Sequence, residues 1–190
     1  MFTFVLALSL AAAPQAKLTE PKPGTRELRF TDKAGEHLVT FVLSDVKKKK
    51  SSEGWSKSRD LLVTHTIGNK QVWQAKDFVQ KCEFDLQLEL VDGSIEVTDV
   101  DENGQGEVSF LYRLGCRSDV SPDGMKLLMY EGTTKYALRG ESKERVSDTD
   151  FIGGEFQADA AFERAPAAFF DFATAKWKRL VVDAVNSSGN

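Results

Sequence analysis

The chain has 190 residues, of which 41% are hydrophobic and 28% are charged, and its formal net charge is −4. This length and composition predict one globular domain with a sizeable core, and no segment recurs with the period of about 20–50 residues that a repeat protein would show. The slightly acidic balance disfavours nucleic acid as a partner, since proteins that bind it usually carry a basic surface.

The first 16 residues, MFTFVLALSLAAAPQA, contain no charged side chain and end in small residues. This pattern predicts a signal peptide over residues 1–16 and therefore an exported protein, periplasmic or extracellular. The apolar run of about 12 residues is too short to span a bilayer, which takes roughly 20, so no membrane span is expected after the signal is removed. The alternative is a buried N-terminal strand. Residues 17–25 are predicted to form a flexible lead.

From residue 26 onward, apolar and polar residues alternate in short runs separated by turn residues, which predicts antiparallel strands. Two hairpins are expected first, at 27–44 and 61–78, and a strand at 83–90 follows. A four-stranded meander is then predicted, with strands at 94–100, 107–114, 126–132 and 135–140.

Two polar stretches are predicted to be loops. Residues 45–59 contain four consecutive lysines, which we expect to be solvated rather than to form a binding patch because Asp45 and Glu53 border them. Residues 141–158 are polar and rich in glycine.

The C-terminal part changes from strand to helix patterning. Pro166 stands where a helix would begin, and apolar residues then recur at the spacing of one helix face, namely Phe169, Ala173, Trp177, Leu180 and Ala184. The predicted fold is therefore mainly β: an antiparallel meander, of propeller-blade or sandwich type, with one C-terminal amphipathic α-helix at 166–184. We expect a single domain over residues 26–185.

The chain contains two cysteines, Cys82 and Cys116. In an oxidising compartment, an even pair predicts a disulfide. The alternative is two separate buried thiols. A metal-binding pair is disfavoured because the cysteines lack Cys-x-x-Cys spacing and have no histidine close in sequence.

The stretch DVDENGQGE places oxygen-bearing side chains at alternate positions and then a glycine, which predicts a calcium loop. The expected ligands are the side chains of Asp99, Asp101, Asn103 and Glu107 and the backbone carbonyl of Gln105. The loop is not an EF-hand, since Phe110 occupies the twelfth position and strands flank it. It resembles the Asp-x-Asp-x-Asp-Gly-x-x-Asp loops between strands of integrin-type and bacterial propeller repeats.

The charge pattern around this loop supports a structural Ca²⁺. Residues 91–112 contain six acidic residues and no Lys or Arg, and such crowding is unfavourable unless a cation or water separates the carboxylates. The alternative is a solvated acidic hairpin. By analogy with extracellular modules, the expected dissociation constant is on the order of 10⁻⁴–10⁻³ M.

Five motifs, CEFDL, TDVDENG, GCRSDVSP, KLLMYEG and KYALRG, give residues 60–180 a resemblance to an uncharacterised bacterial family of exported proteins. Some members of that family are labelled surface polysaccharide biosynthesis proteins. The resemblance implies a place in the cell envelope but no identified active site.

The segment GCRSDVSPDG could present Arg117, Ser118 and Asp119 as a ligand surface beside the disulfide. The alternative, which we favour, is a turn in which Arg117 pairs with Asp119 or Asp123.

No nucleophile elbow, zinc-protease motif or phosphate-binding loop is present in the sequence. The two histidines, His37 and His65, lie in predicted strands and are expected to be strand residues rather than catalytic bases. We therefore expect an exported, non-catalytic binding or structural module of the cell envelope, with an envelope protein or a polysaccharide as its partner. The alternative is an envelope enzyme that acts in surface polysaccharide synthesis or processing.

Overall fold

Two antiparallel sheets and a C-terminal helix stack in three layers. This architecture comes from a computed structural model that describes residues 14–52, 54–119 and 121–187. The predicted signal peptide falls almost entirely on residues 1–13, outside the described residues. The prediction of a mainly β fold with one C-terminal helix is confirmed.

The first sheet is built from the N-terminal half of the chain. Its strands are β1 (Lys17–Lys22), β2 (Thr25–Asp32), β3 (Gly35–Leu43), β4 (Lys47–Ser51), β5 (Gly54–Ile67) and β6 (Lys70–Cys82). They form a meander in which the long strand β5 pairs with β6 on one side and with β3 and then β4 on the other.

The second sheet is a meander from the C-terminal half. Its strands are β7 (Asp85–Leu90), β8 (Glu96–Thr98), β9 (Glu107–Arg117), β10 (Gly124–Glu131), β11 (Thr134–Glu141) and β14 (Phe156–Ala158). A separate small hairpin joins β12 (Lys143–Arg145) to β13 (Phe151–Gly153). Strand β9 pairs with β10 along one edge and with β7 and β8 along the other.

The core between the sheets follows from side-chain alternation. Val39 and Phe41 of β3 point toward the second sheet, where the Phe110 ring meets the Phe41 ring edge to face with their centroids 5.1 Å apart. Full burial of such side chains stabilises the fold by about 1.5–3 kcal/mol each. The two sheets therefore pack face to face as a sandwich.

The second sheet is buried on both faces, which explains its near-continuous apolar runs. In β10, Leu128 and Tyr130 face the first sheet, whereas Leu127 and Met129 face the helix. The period of two along a strand sends neighbouring residues to opposite faces.

The helix α1 (Ala167–Ser187) begins directly after Pro166 and covers the outer face of the second sheet. Phe169, Ala173, Trp177 and Leu180 are buried there, as their spacing predicts. The side chain of Ala184 lies outside the described residues. A short 3-10 helix (Ala160–Arg164) precedes α1 and buries Phe162.

Three segments differ from their predicted conformations. Residues 17–25, predicted to be a flexible lead, contain β1, and residues 45–59, predicted to be a loop, contain β4 and the start of β5. The expected loop 141–158 contains three short strands, β12 to β14. All three differences involve short or edge strands, which have weak sequence patterns because much of their surface is polar.

Candidate cation site

The acidic loop joins β8 to β9 at one corner of the sandwich. Two of its residues, Glu102 and Gly104, adopt left-handed backbone conformations with φ of 58° and 79°. A left-handed residue reverses the chain tightly, and this turns the flanking carboxylates toward one another. The loop is therefore compact, as the alternating pattern predicts.

Three carboxylates converge inside the loop. Asp99, Asp101 and Glu107 each offer an oxygen, and these oxygens all lie within 4.8 Å of one another. Two oxygens on opposite sides of a Ca²⁺ ion stand about 5 Å apart, because each Ca–O distance is about 2.3–2.6 Å. The three carboxylates therefore have the spacing of a group that could hold one metal ion.

Glu107 is the most deeply placed of the three, with 0% of its surface exposed. Its Oε2 accepts hydrogen bonds from the hydroxyl of Thr98 at 2.8 Å and from the backbone N–H of Val100 at 3.1 Å. Within the described residues, its Oε1 is buried and has no hydrogen-bond partner. A buried acceptor without a donor costs about 1–3 kcal/mol.

The two carboxylate oxygens of Asp99 also differ in their hydrogen bonding. Its Oδ2 accepts the backbone N–H of Gly104 at 3.0 Å, whereas its Oδ1 is buried without a partner among the residues that the structure describes. A bound cation, a proton or a water molecule could satisfy these two carboxylate oxygens.

The electrostatics of the loop oppose a bare Glu107 carboxylate. Burial raises the pKa of Glu107, the hydrogen bonds from Thr98 and Val100 lower it, and the negative charges of Asp101 and Asp99 raise it further. The net shift is upward. A bound cation would reverse this balance because it stabilises the ionised form.

Asn103 and Gln105, the other two predicted ligands, hold the loop in shape. The side-chain amide of Asn103 donates to Oδ2 of Asp101 at 2.8 Å, and its Oδ1 accepts the backbone N–H of Gln105, also at 2.8 Å. The side-chain oxygen of Asn103 thus already has a donor. In this arrangement Asn103 orients Asp101, and Asp99, Asp101 and Glu107 form the cluster.

The turn between β2 and β3 packs against the acidic loop. The ammonium group of Lys33 donates to the backbone carbonyl of Asn103 at 2.9 Å, and the backbone N–H of Lys33 donates to the carbonyl of Gly104 at 3.1 Å. The neighbouring Asp32 accepts the N–H of Gly106 at 2.8 Å. These bonds connect the first sheet to the loop across about seventy residues of sequence, so the loop is also an inter-sheet contact.

A buried chain of histidine side chains, which the sequence analysis did not predict, begins at Asp32. Its Oδ1 accepts a hydrogen bond from Nε2 of His37 at 2.8 Å, and Nδ1 of His37 lies 2.9 Å from Nε2 of His65. The ring of His37 also stacks on Phe30, with centroids 4.2 Å apart. Both histidines occupy inward-facing positions of their strands, and that parity is the sequence signal that could have revealed the chain.

The protonation of this chain follows from its burial. Burial lowers the pKa of His65 to about 4, and the neighbouring His37 lowers it in the same direction. Burial alone would raise the pKa of Asp32, but hydrogen bonds from Gly106, Ala34 and His37 bring it below its usual range. Asp32 is therefore ionised and His65 neutral near pH 7, and the chain fixes the turn that supports the acidic loop.

The predicted disulfide is confirmed, with Cys82 and Cys116 bonded and their Cα atoms 5.5 Å apart. Cys82 ends β6 of the first sheet, and Cys116 lies in β9 of the second. The bond therefore ties the two sheets together.

The side chain of Arg117 contacts residues of the loop that follows β9. Its guanidinium forms a bidentate pair with Asp123, with N–O distances of 2.8 and 3.0 Å, and donates to the backbone carbonyl of Asp119 at 3.2 Å. Gly115 makes room for this pair, because a Cβ there would lie 2.3 Å from Oδ1 of Asp123. Ser118 and Asp119 are exposed. The geometry therefore favours the structural turn over the candidate ligand surface.

No family model, curated protein or solved structure matches this chain. The resemblance to exported envelope proteins thus stays a prediction. Among the described parts of the chain, no helix is both long enough and apolar enough to cross a bilayer.

Proposed function

We propose that the acidic loop binds Ca²⁺ and that the chain is an exported, non-catalytic binding or structural module of the cell envelope. The observation that carries the metal assignment is the pair of buried, unpartnered oxygens on Asp99 and Glu107. A cation placed between them would satisfy both and would neutralise part of the charge that Asp101 adds.

The donor set favours Ca²⁺ among divalent ions. All three clustered side chains supply hard carboxylate oxygens, and Ca²⁺ accepts irregular oxygen cages more readily than Mg²⁺, which requires near-octahedral geometry. A solvated or protonated acidic hairpin is the competing explanation, and it predicts no response to Ca²⁺.

Ion binding would affect the contact between the two sheets. Lys33 and Asp32 hold the loop through backbone groups of Asn103, Gly104 and Gly106. An ion that orders the loop therefore also orders the contact between the two sheets. This supports a stabilising role for the ion, at a distance from any binding surface of the module.

Two features support export. A disulfide that joins two sheets persists only where thiols are not kept reduced, and the apolar N-terminal segment has the composition of a signal peptide. Both features fit an exported protein, periplasmic or extracellular.

Thermal melting in Ca²⁺ against chelator tests the metal site. For a dissociation constant of about 10⁻⁴–10⁻³ M, about 10 mM Ca²⁺ should add about 1.4–2.7 kcal/mol and raise Tm by about 3–10 °C. Asp101→Asn should lose this response because it removes a clustered carboxylate.

Glu102→Gln is the matched control, since Glu102 lies in the same loop and is exposed, outside the cluster. This variant removes the same charge and should keep the response to Ca²⁺. A wild-type melting curve that is identical in Ca²⁺ and in chelator would refute the calcium assignment.

A further inference from the structure

The hairpin formed by β4 and β5 extends beyond the rest of the sandwich. Strand β3 pairs with β5 only from Leu61 onward, and the pairing of β6 with β5 reaches as far as Lys57. Among the described residues, positions 54–56 of β5 therefore pair with β4 alone. The tip is a two-stranded ribbon that protrudes from the molecule.

This ribbon is basic in an acidic protein. Residues 45–60 carry six basic and three acidic side chains, whereas the whole chain has a net charge of −4. Lys47 pairs with Asp60 at 3.2 Å, and Lys57 lies 3.8 Å from Asp85. For Lys48, Lys49 and Lys50, the described part of the chain supplies no carboxylate within 4.0 Å. As far as the described residues show, these three lysines are therefore available to an anionic partner.

An exposed indole accompanies these lysines. Trp55 leaves 59% of its surface in solvent, whereas Trp73 and Trp177 are buried in the two cores. Lys50 lies opposite Trp55 in the hairpin, with its ammonium 5.9 Å from the ring centroid. Lys48, opposite Lys57, lies on the same face, because that face repeats every second residue.

Phe84 lies next to this face through its backbone. Its side chain is 53% exposed, and its backbone carbonyl accepts a hydrogen bond from the ammonium of Lys57 at 2.8 Å. We call the set of Lys48, Lys50, Trp55 and Phe84 the lysine–tryptophan surface. It combines two exposed aromatic rings with two lysines that have no ion-pair partner among the described residues.

The need to protect an open sheet edge explains the lysines of this surface but not its exposed aromatic rings. Lysines on an edge strand such as β4 discourage pairing with another chain. They do not account for the exposure of Trp55, since a large apolar ring in water favours association with a partner. The aromatic component therefore points to a binding role.

We propose that the lysine–tryptophan surface docks peripherally on a bilayer that contains anionic phospholipids. The lysines would contact lipid phosphates, and the rings of Trp55 and Phe84 would enter the headgroup region, where indole rings partition with the ring buried and the N–H hydrated. A protruding ribbon suits a planar partner, and the acidic remainder of the molecule would be repelled and face away.

Vesicle sedimentation tests this surface directly. With phosphatidylglycerol–phosphatidylcholine vesicles in chelator, the full chain should sediment at low salt and be released at high salt. It should not sediment with phosphatidylcholine alone. Tryptophan emission should shift to shorter wavelength on binding, and Trp55→Ala should remove the shift because the other two indoles are already buried.

Charge variants supply the matched comparison. Each lysine near an anionic bilayer contributes about five-fold to affinity, so Lys48→Gln/Lys50→Gln should bind about 25-fold more weakly. Lys70→Gln/Lys135→Gln removes the same charge from exposed positions at the starts of β6 and β11 and should bind as wild type does. All variants share the same N-terminal apolar segment, so differences between them report the hairpin.

Three outcomes would overturn the proposal: no sedimentation with anionic vesicles, equal weakening by both double variants, or binding to soluble polygalacturonate without binding to vesicles. The last would identify an acidic polysaccharide as the partner. Because chelator is present throughout, the result is independent of whether the acidic loop binds Ca²⁺.

Discussion

At the scale of single residues, Glu107 carries most of the chemistry of the acidic loop. It belongs to β9 by backbone pairing and to the carboxylate cluster by its side chain. The sequence spacing identifies it as a ligand candidate, but it does not show that the side chain is buried with one free oxygen. Because this side chain is buried, the charge state of Glu107 affects the free energy of unfolding.

Glu107→Gln should therefore stabilise the calcium-free protein near pH 7, by about 1–2 kcal/mol, and should abolish the response to Ca²⁺. The glutamine oxygen can still accept from Thr98 and Val100, and its amide places a donor where the unpartnered oxygen stands. Urea unfolding in chelator, compared with wild type, measures the difference.

The raised pKa of Glu107 determines how the stability difference between this variant and the wild type changes with pH. The pKa of Glu107 is raised in the folded chain above its usual value of 4.5, so the folded state holds this proton more tightly than the unfolded state. The stabilising contribution of that proton is fully present below pH 4.5 and is lost as the pH rises through the folded pKa. The advantage of the variant should therefore grow with pH, and an advantage independent of pH would contradict it.

At the scale of elements, the best-predicted part is α1, because the helix period is a local property. Its residue Lys176 is the exception on that face. It is 2% exposed, and its ammonium donates to the hydroxyl of Ser109 at 2.7 Å and to Glu96 at 3.0 Å. Burial lowers its pKa to about 8 although the Glu96 carboxylate opposes the shift. The helix period places position 176 on the buried face, whereas its charge would lead one to expect a lysine in solvent.

Trp177 should be the principal anchor of the helix. Its ring packs on Phe156, and its indole N–H donates to the backbone carbonyl of Gly154 at 2.9 Å. Trp177→Ala should lower the free energy of unfolding by about 3–5 kcal/mol, since it leaves a cavity and an unpaired acceptor. Urea titration followed by circular dichroism measures this loss.

Phe170→Ala provides the comparison on the same helix. Phe170 is 39% exposed, so its removal should cost about 1 kcal/mol or less. Equal losses in the two variants would show that the helix does not depend on the buried face described above.

Strands β1 and β4 show where sequence patterns fail. Pro21 lies in β1, an edge strand whose pairing with β2 is irregular between Thr19 and Lys22, and proline is tolerated at such positions because its missing N–H faces outward. In β4, four lysines occupy consecutive positions, and no alternation marks the strand. Pairing with the well-patterned neighbours β2 and β5 determines both strands.

At the scale of the whole molecule, the disulfide and the β2–β3 turn are two separate ties between the sheets. Cys82→Ser/Cys116→Ser should lower the free energy of unfolding by about 4 kcal/mol, because the bond closes a loop of about 35 residues in the unfolded chain. Equilibrium unfolding in urea measures the change.

Reductant provides the control for this prediction. It should destabilise the wild type to the level of the double variant, and it should leave the variant itself unchanged. A double variant as stable as the oxidised wild type would mean that the bond does not restrict the unfolded chain.

The sequence by itself determined the features that depend on neighbours along the chain. The strands with clear alternation, the helix face of Phe169 and Trp177, and the alternating acidic positions of the loop all follow from local periods. Cysteine number also predicted the disulfide, since only one intramolecular pairing exists for two cysteines.

Only the tertiary structure decided the features that depend on residues far apart in sequence. It packed two meanders face to face, placed Lys33 and Asp32 against the acidic loop, and joined His37 to His65 inside the first sheet. It also brought the carboxylates of Asp99, Asp101 and Glu107 within reach of one ion. The physical reason is that burial and hydrogen-bond partners, which set the charge state of a carboxylate, come from strands that the sequence does not place side by side.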